Sequence, residues 1–203
     1  MDVSVIIPSR NTRALLLDCV ASVRAAESDV EVIVVDNASE DGSAEMVESN
    51  YPETGLIRNT ENVGFSRANN RALEASRGRY FMLLNPDTIC RNGALAELVR
   101  FMDSVPSAGA AGPMVLNPDG SLQYSWARFP TLLSEAVGRL DRRIAGRRPV
   151  PKSADDVLAL GPFQTDWVGG CAMVVRRDAI EQVGPMDETL FMYCEETDWC
   201  RRM

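Results

Sequence analysis

Residues 3–11 read VSVIIPSRN, a β-branched and almost entirely apolar run that ends in a short polar segment. This pattern predicts a buried strand that ends near Pro8 and is followed by a loop. Beyond Thr12, apolar residues recur at helical spacing from Leu15 to Ala26, so a helix is predicted there with Thr12 as its N-cap. The start of the chain is therefore a strand joined to a helix.

The same alternation continues to about residue 104. Strands are predicted at residues 31–35, 56–58 and 80–84, and helices at residues 41–50, 65–76 and 93–104. Strands that alternate with helices and are buried on both faces predict a parallel sheet with right-handed crossovers. We therefore expect an α/β protein with a Rossmann-like, mostly parallel central sheet flanked by helices.

The second half of the chain has a less regular pattern, for which we expect a small mixed β region. The turn signal at residues 117–120, Asn-Pro-Asp-Gly, predicts a hairpin between residues 113–116 and 121–125. The remaining predicted elements are a helix at 131–146, a loop at 147–161, strands at 163–168 and 171–175, and a short helix at 178–183.

Length and composition exclude several classes of protein. A chain of 203 residues predicts one domain, and its apolar runs are shorter than the ~18 residues that a membrane helix needs. A net charge of -8 disfavours non-specific nucleic-acid binding. The absence of His excludes Ser-His-Asp and Cys-His catalysis and leaves acid–base chemistry to other side chains, carboxylates above all. Five cysteines without a C-x-x-C motif, and a strand at the very start, favour a cytoplasmic protein without a signal peptide.

Polar residues directly follow three of the predicted strands, where open parallel sheets bind their ligands. Asp36 is suited to accept a hydrogen bond from a nucleobase N–H or a ribose hydroxyl, but an Asp here also caps helices and turns. Asp87, in Asn85-Pro86-Asp87, is suited to Mg²⁺ or Mn²⁺ with phosphate and water as further ligands, although a turn Asp is equally common. No glycine-rich phosphate loop is present, which disfavours dinucleotide enzymes and P-loop NTPases.

Three further features have both a functional and a structural interpretation. The acidic residues of 195–198 repel each other, which raises carboxylate pKa values towards those of general bases, yet acidic residues also favour helix N-termini. Asn62, Gly64 and Asn69 lie at the start of the third predicted helix, where they could serve only in capping. Trp167 could stack on a sugar or a base, or could belong to the core.

Together, six segments of the chain resemble a family 2 glycosyltransferase of the GT-A fold, in the rhamnosyltransferase-like subgroup that builds bacterial cell-surface polysaccharides. These segments are residues 3–11, 34–43, 62–65, 83–88, 169–173 and 186–198. The resemblance implies metal-dependent transfer of a sugar, with inversion, from a UDP- or dTDP-linked donor to a hydroxyl of a cell-surface glycan or lipid-linked acceptor. The metal would be Mg²⁺ or Mn²⁺.

The resemblance also implies roles for individual residues. Asp87 would bind the metal, and Glu196 would be the base, with Glu195 as the alternative and Asp198 as a third catalytic carboxylate. The expected nucleotide-binding residues are Pro8, Ser9, Arg10, Asp36, Asn37, Asn62, Gly64, Asn69 and Asn85. The expected acceptor-side residues are Trp167, Gly169 and Gly170. Residues 1–105 would form the nucleotide-binding half, and residues 106–203 the acceptor-side half, of a single domain.

The chain departs from the family pattern at two places. Asn85 stands where the metal motif often has a first Asp, which leaves Asp87 as the one certain carboxylate. The chain ends at Met203 directly after the acidic run, whereas family members usually continue, so we expect a C-terminal truncation.

Two other functions stay open beside this one. A non-catalytic nucleotide-sugar binding domain of the same fold is the first alternative. A sugar-1-phosphate nucleotidyltransferase is disfavoured, because residues 8–11 are not a glycine-rich loop.

Residues 132–148 combine an apolar stripe with five arginines. This pattern is more often that of an amphipathic helix packed on the core, but it also suits a helix lying on an anionic bilayer at the inner face of the cytoplasmic membrane.

Overall fold

The computed structural model describes residues 2–27, 29–130 and 151–203. Its centre is a six-stranded sheet in the order β3-β2-β1-β4-β10-β5. The strands found in the described residues are β1 Val3–Ser9, β2 Glu31–Asn37, β3 Gly55–Asn59, β4 Tyr80–Leu84, β5 Ala110–Ala111, β6 Val115–Leu116, β7 Leu122–Gln123, β8 Trp126–Ala127, β9 Trp167–Val168 and β10 Ala172–Arg176. The helices are α1 Arg13–Ala26, α2 Ser43–Asn50, α3 Gly64–Ala75, α4 Ala94–Ser104, α5 Ala154–Leu160, α6 Arg177–Val183 and α7 Glu195–Arg202.

The central sheet is mostly parallel, as predicted. Strands β1 to β4 pair in parallel, whereas β10 runs antiparallel to β4, with Ala172 opposite Leu84. Because β10 is reversed, its first residues lie at the same edge as the carboxyl ends of the parallel strands. The backbone N–H of Asn85, just past β4, donates to the carbonyl of Cys171, just before β10 (2.9 Å).

Alternate residues of each strand point to opposite faces of the sheet and so form two apolar layers. In β1, Val5 and Ile7 pack with the buried residues of α1, α2 and α4, while Ile6 packs with those of α3 and α7. The second layer includes Trp199 of α7, which is fully buried and donates its indole N–H to the carbonyl of Gly184 (2.9 Å). The C-terminal helix is therefore part of the core.

The second half contains two small two-stranded sheets, β6-β7 and β8-β9, and both are antiparallel. The predicted hairpin is confirmed, with the Gly120 N–H donating to the Asn117 carbonyl (2.9 Å). The predicted strand at 163–168 is confined to Trp167–Val168.

The loop predicted at 147–161 is wrong for its second part, where α5 lies. Ser153 accepts a hydrogen bond from the Asp156 N–H, and the Asp156 side chain accepts from the Ser153 N–H. This reciprocal capping box was legible in the sequence as Ser-x-x-Asp.

The helix predicted at 131–146 and the membrane contact predicted at 132–148 lie outside the described residues. Within the part of the chain that is described, no helix has the length and apolar character needed to cross a membrane.

Candidate active site

The loops after β1 and β2 hold each other through reciprocal hydrogen bonds. The N–H of Asn11 donates to the Ser39 hydroxyl (2.9 Å), and the N–H of Glu40 donates to Asn11 Oδ1 (2.8 Å). One residue further along, the Arg13 N–H donates to Asp41 Oδ2 (2.8 Å). The polar residues that follow these two strands therefore form one fixed rim along the sheet edge.

Asp36, at the end of β2 and opposite Ser9 of β1, is 4% exposed. Its Oδ2 accepts the Ser39 N–H (3.1 Å), so the turn interpretation of Asp36 is met. Its Oδ1 is also buried, and it has no hydrogen-bond partner among the described residues. An unsatisfied buried acceptor is costly, and one oxygen of Asp36 is in this state within the described chain.

The three other expected nucleotide-binding residues of this edge differ in their surroundings. Pro8 and Ser9 are buried within β1, which extends one residue beyond the predicted end at Pro8. The Ser9 hydroxyl is hydrogen-bonded to that of Thr12 (2.8 Å). Arg10 is exposed, so its guanidinium is open to an anionic ligand.

Asn37, Asn62 and Gly64 form the junction between β2 and α3. The Asn37 amide donates to the Gly64 carbonyl (3.4 Å) and accepts from the Asn59 amide (2.7 Å). Asn62 Oδ1 accepts the Gly64 N–H (3.1 Å), which is the capping role. Gly64 has φ +83, and a Cβ there would lie 2.5 Å from the carbonyl oxygen of Phe191, so glycine is required for this close approach.

Asn69, one turn further along α3, is fully buried. Its amide donates to the carbonyl of Phe65 (2.9 Å). Its Oδ1 is a second buried acceptor without a partner in the described ranges. Asn69 thus resembles Asp36 in having one oxygen free.

The end of β4 carries Asn85, which is half-buried, and Asp87, which is exposed. The Thr88 N–H donates to the Asn85 carbonyl (3.2 Å), which closes the turn and presents Asp87 at the sheet edge. Residues 2–27, 29–130 and 151–203 contain no group of three or more Cys, Asp or Glu side chains placed to hold a metal ion.

The acidic run begins α7, so its structural interpretation as a helix N-terminus is confirmed. Glu195 is 5% exposed and Glu196 is half-buried, and each has a buried Oε2 that lacks a partner among the described residues. Burial raises the pKa of Glu195, and the charge of Glu196 raises it further. Asp198, by contrast, forms an ion pair with Arg202 one turn later (2.9 Å).

The pairing of β4 with β10 brings the turn that bears Asp87 close to the segment that contacts Glu196. The backbone N–H of Asn85 donates to the carbonyl of Cys171 (2.9 Å), and burial raises the pKa of the Cys171 thiol. A Cβ built on Gly170 would lie 3.1 Å from the Phe65 ring and 4.0 Å from the Glu196 Cβ. Phe65 was not singled out in the sequence, where it stands as an ordinary apolar residue of an amphipathic helix.

The three expected acceptor-side residues separate. Gly170 is buried beside Glu196, whereas the Gly169 N–H donates to the Ser125 carbonyl (2.7 Å). Trp167 is half-buried, and its indole N–H donates to the carbonyl of Arg128 (3.3 Å). Of the three, Gly170 is the residue placed directly against a candidate catalytic carboxylate.

Two sequence relatives share the resemblance noted above. The N-acetylglucosaminyl-diphospho-decaprenol L-rhamnosyltransferase of Mycobacterium tuberculosis is 30% identical over 187 residues, which cover 86% of this chain and 61% of that protein. The rhamnosyltransferase WbbL of Escherichia coli is 27% identical over 148 residues, covering 69% of this chain and 54% of that protein. The chain therefore spans between half and two thirds of the length of these relatives.

Solved structures with the same fold are more distant in sequence. The mannosyltransferase PcManGT from Pyrobaculum calidifontis, in complex with GDP-Man and Mn²⁺, superposes with a TM-score of 0.66 at 20% identity, covering 97% of this chain and 50% of that one. S. aureus TarS 1–349 in complex with UDP-GlcNAc superposes with a TM-score of 0.67 at 17% identity, covering 100% and 53%. The expected GT-A fold is confirmed.

The family model described as "Glycosyl transferase family 2" matches residues 4–184, which include the rim of the sheet edge, the turn that bears Asp87, and Gly170. With that match and with rhamnosyltransferases among its relatives, the chain belongs to glycosyl transferase family 2.

Proposed function

We propose that this chain is the catalytic domain of an inverting, metal-dependent glycosyltransferase that moves a sugar from a nucleoside-diphosphate sugar to an acceptor hydroxyl. The observation that carries the proposal is the junction of β4 and β10 at the carboxyl edge of the sheet. There the Asn85 N–H, two residues before Asp87, donates to the Cys171 carbonyl, and the neighbouring Gly170 lies against Glu196. A transferase of this kind needs a group that stabilises the leaving diphosphate and a base for the acceptor, and these two carboxylates supply one of each.

The nucleoside would bind along β1 and β2. Asp36 Oδ1 would accept a hydrogen bond from the base or the ribose, which satisfies an acceptor that is buried without a partner in the described chain. Exposed Arg10 would contact the diphosphate. The neighbours in complex with UDP-GlcNAc and GDP-Man support a nucleotide-sugar donor, and we propose UDP or dTDP as the nucleotide.

A divalent metal fits the end of β4. Asp87 offers an exposed carboxylate, and oxygen ligands are what Mg²⁺ and Mn²⁺ prefer, with phosphate oxygens and water completing the shell. When bound, the metal would neutralise the charge that develops on the departing diphosphate. The neighbour solved with GDP-Man and Mn²⁺ supports this assignment.

We assign the base to Glu196 rather than to Glu195. Glu195 is only 5% exposed, whereas Glu196 is half-buried, more open to an acceptor hydroxyl, and lies against Gly170. Glu196 would take the proton of the acceptor hydroxyl while the hydroxyl oxygen attacks the anomeric carbon from the side opposite the diphosphate. One displacement of this kind inverts the anomeric configuration.

We propose a lipid-linked sugar or a cell-surface glycan as the acceptor, bound by residues of the 106–203 half on the cytoplasmic side of the membrane. The name of the mycobacterial relative, which specifies N-acetylglucosaminyl-diphospho-decaprenol, supports this class.

The test begins with donor binding. UDP-GlcNAc, dTDP-L-rhamnose and GDP-mannose are each added with and without Mn²⁺, and thermal unfolding is recorded. A donor at 100 times its Kd should stabilise the protein by about 2.7 kcal/mol. Release of nucleoside diphosphate is then measured with polyprenyl-diphosphate-linked N-acetylglucosamine as acceptor.

Three variants separate the roles. Glu196→Gln should lower kcat by roughly 10²-fold or more at nearly unchanged donor affinity, while Glu74→Gln, an exposed site on α3, should leave both unchanged. Asp87→Ala should abolish the Mn²⁺-dependent part of donor affinity. Donor binding without any turnover would instead support a non-catalytic nucleotide-sugar binding domain, and no donor binding at all would refute both.

A further inference from the structure

Helix α3 holds the segment that leads into α7 through a row of hydrogen bonds. Asn70 donates its amide to the Met186 carbonyl (2.9 Å) and accepts the Met186 N–H (3.1 Å). The Ser66 hydroxyl donates to the Leu190 carbonyl (2.9 Å), and the backbone N–H of Phe65 donates to the Phe191 carbonyl (2.9 Å). We call these contacts of Phe65, Ser66 and Asn70 with residues 186–191 the α3 clamp.

Within the clamp, the side chains of Ser66, Asn70 and Met186 are shielded from water, whereas Phe191 is exposed. Ser66 is 1% exposed, Asn70 4% and Met186 2%, and water cannot readily replace a lost partner at such sites. An ion pair between Arg67 and Glu188 lies alongside but is exposed (2.9 Å), and exposed pairs contribute little. The buried hydrogen bonds of the Asn70 amide and the Ser66 hydroxyl therefore contribute most of the attachment between α3 and residues 186–191.

The clamp joins the two parts of the proposed site. At its N-terminus α3 is bound to the donor side, because Asn37 of β2 donates to the Gly64 carbonyl. On its other side it holds residues 186–191, and only three residues separate Phe191 from Glu195. Helix α3 thus spans the distance between the nucleotide edge and the proposed base.

The backbone between the clamp and the base is strained. Tyr193 (φ 72) and Cys194 (φ 71) are consecutive non-glycine residues in the left-handed region. Such residues persist only where the surrounding structure holds them. Hydrogen bonds from Trp199 and Arg202 attach α7 to residues 183–185. The residues between these two parts, 186–191, are attached to the rest of the protein by the α3 clamp.

We propose that Ser66 and Asn70 are positioning residues, which fix residues 186–191 and thereby place the carboxylates of Glu195 and Glu196 relative to the bound donor. The proposal rests on the function proposed above. Neither side chain needs to touch the donor or the acceptor. Since a displacement of about 1 Å at a reacting group can cost on the order of 10²-fold in rate, a loosened segment should reduce turnover more than binding.

The experiment compares two serines of similar burial. Ser66→Ala removes a hydroxyl that reaches the Leu190 carbonyl, while Ser76→Ala removes one that donates only within its own turn, to the Leu73 carbonyl (2.6 Å). Release of nucleoside diphosphate gives kcat and the donor KM for each, in the full chain with Mn²⁺. Hydrogen exchange of the peptide covering residues 186–198 measures directly how strongly the clamp restrains this segment.

Ser66→Ala should lower kcat by about tenfold, with the donor KM within about twofold of the parent's, and should speed exchange in residues 186–198. Ser76→Ala should change neither kcat nor that exchange. Asn70→Ala should exceed Ser66→Ala in both effects, and if it does not fold, Ser66→Ala decides alone.

The proposal is overturned if Ser66→Ala keeps the parent's kcat, or if its kcat and exchange change no more than those of Ser76→Ala. A fall in donor affinity equal to the fall in kcat would also overturn it, since the defect would then lie in binding. If the parent itself neither binds a donor nor releases nucleoside diphosphate, the proposed function fails first, and this proposal falls with it.

Discussion

At the scale of single residues, the site is marked by buried oxygens that the described chain leaves without partners. They belong to Asp36, Asn69, Glu195 and Glu196. Desolvating an acceptor without giving it a donor costs about 1–3 kcal/mol. The four atoms belong to elements that border one sheet edge, and we propose that ligands supply their hydrogen-bond donors.

Asp36→Ala should weaken binding of UDP or dTDP by about 1.5–3 kcal/mol, which is roughly 10- to 150-fold in Kd. The physical reason is the loss of a hydrogen bond to a charged acceptor that is already desolvated. Titration calorimetry with and without Mn²⁺ should show the same loss, because this contact is to the nucleoside. The control is Asp18→Ala, at an exposed position on α1. If the Kd of Asp36→Ala equals that of the parent, Asp36 has only a structural role in the turn.

Glu195→Gln should stabilise the protein at pH 7. Burial, and secondarily the charge of Glu196, raise the pKa of Glu195 above its ordinary 4.5. Between the unfolded and the raised folded pKa, the native state holds the extra proton, so its stability falls as the pH increases through that window. The glutamine of the variant is neutral at every pH, so the variant does not lose stability in this way as the pH increases.

The gain in Tm over the parent should therefore be present at pH 7 and disappear below pH 4.5 or so, where Glu195 is protonated in both states. Thermal unfolding between pH 4 and pH 8 measures it. A variant less stable than the parent at pH 7 would show instead that the native state stabilises the Glu195 carboxylate.

At the scale of elements, the starts of α4 and α7 share one backbone conformation. The N-cap residues of α4 and α7 are Gly93 (φ 77, ψ -4) and Cys194 (φ 71, ψ -4). The same left-handed conformation is held by a glycine in one helix and by a side-chain-bearing residue in the other. Glycine adopts it without steric cost, whereas other residues lose roughly 1–2 kcal/mol.

Exchanging the residue types should have opposite effects. Cys194→Gly should raise the free energy of unfolding by about 0.5–1 kcal/mol. The substitution relieves the backbone strain of the folded state, and the greater backbone entropy of glycine in the unfolded chain offsets part of that gain. Gly93→Ala should lower it by a similar amount, and for conformational reasons alone, since a Cβ there meets no atom within 4 Å among the described residues. Urea unfolding of both variants gives the two signs, and the same sign for both would refute the shared explanation.

At the scale of the whole molecule, the two predicted halves share one sheet and one core. Strand β10 of the second half pairs with β4 of the first, and Met173, Met186 and Trp199 complete the apolar layer that α3 begins. The 1–105 and 106–203 division can therefore describe binding roles but not separate folding units.

We expect residues 1–105 alone to show no cooperative unfolding transition, because removing β10 exposes the edge of β4 and the apolar face beneath α3. The full chain should unfold in a single transition. Urea titration followed by circular dichroism tests both. A fragment that unfolds cooperatively near the midpoint of the full chain would show that the first half is an independent domain.

Local pattern was sufficient for most elements. Strand β4 lies where it was predicted, and β1, β2, α3 and α4 differ by at most two residues at either end, because apolar periodicity records which faces are buried. That Asp36 and Asp87 lie at the carboxyl edge of the sheet also followed from the sequence, since parallel strands bring their carboxyl ends to one edge, although β2 runs on through Asp36 to Asn37. Helix α5 was not predicted, although the Ser-x-x-Asp pattern of its capping box is present in the sequence at Ser153 and Asp156.

Tertiary structure alone decided how the distant parts meet. No local pattern shows that β10 enters the sheet antiparallel to β4, yet this reversal places Cys171 beside Asn85 and Gly170 against Phe65 and Glu196. The α3 clamp likewise joins residues 116 to 126 positions apart in the chain. The sequence by itself determined the elements and the chemistry available at their ends, because these depend on near neighbours. Which of those groups share a site depends on pairing and packing across the whole chain, and only the folded structure carries that information.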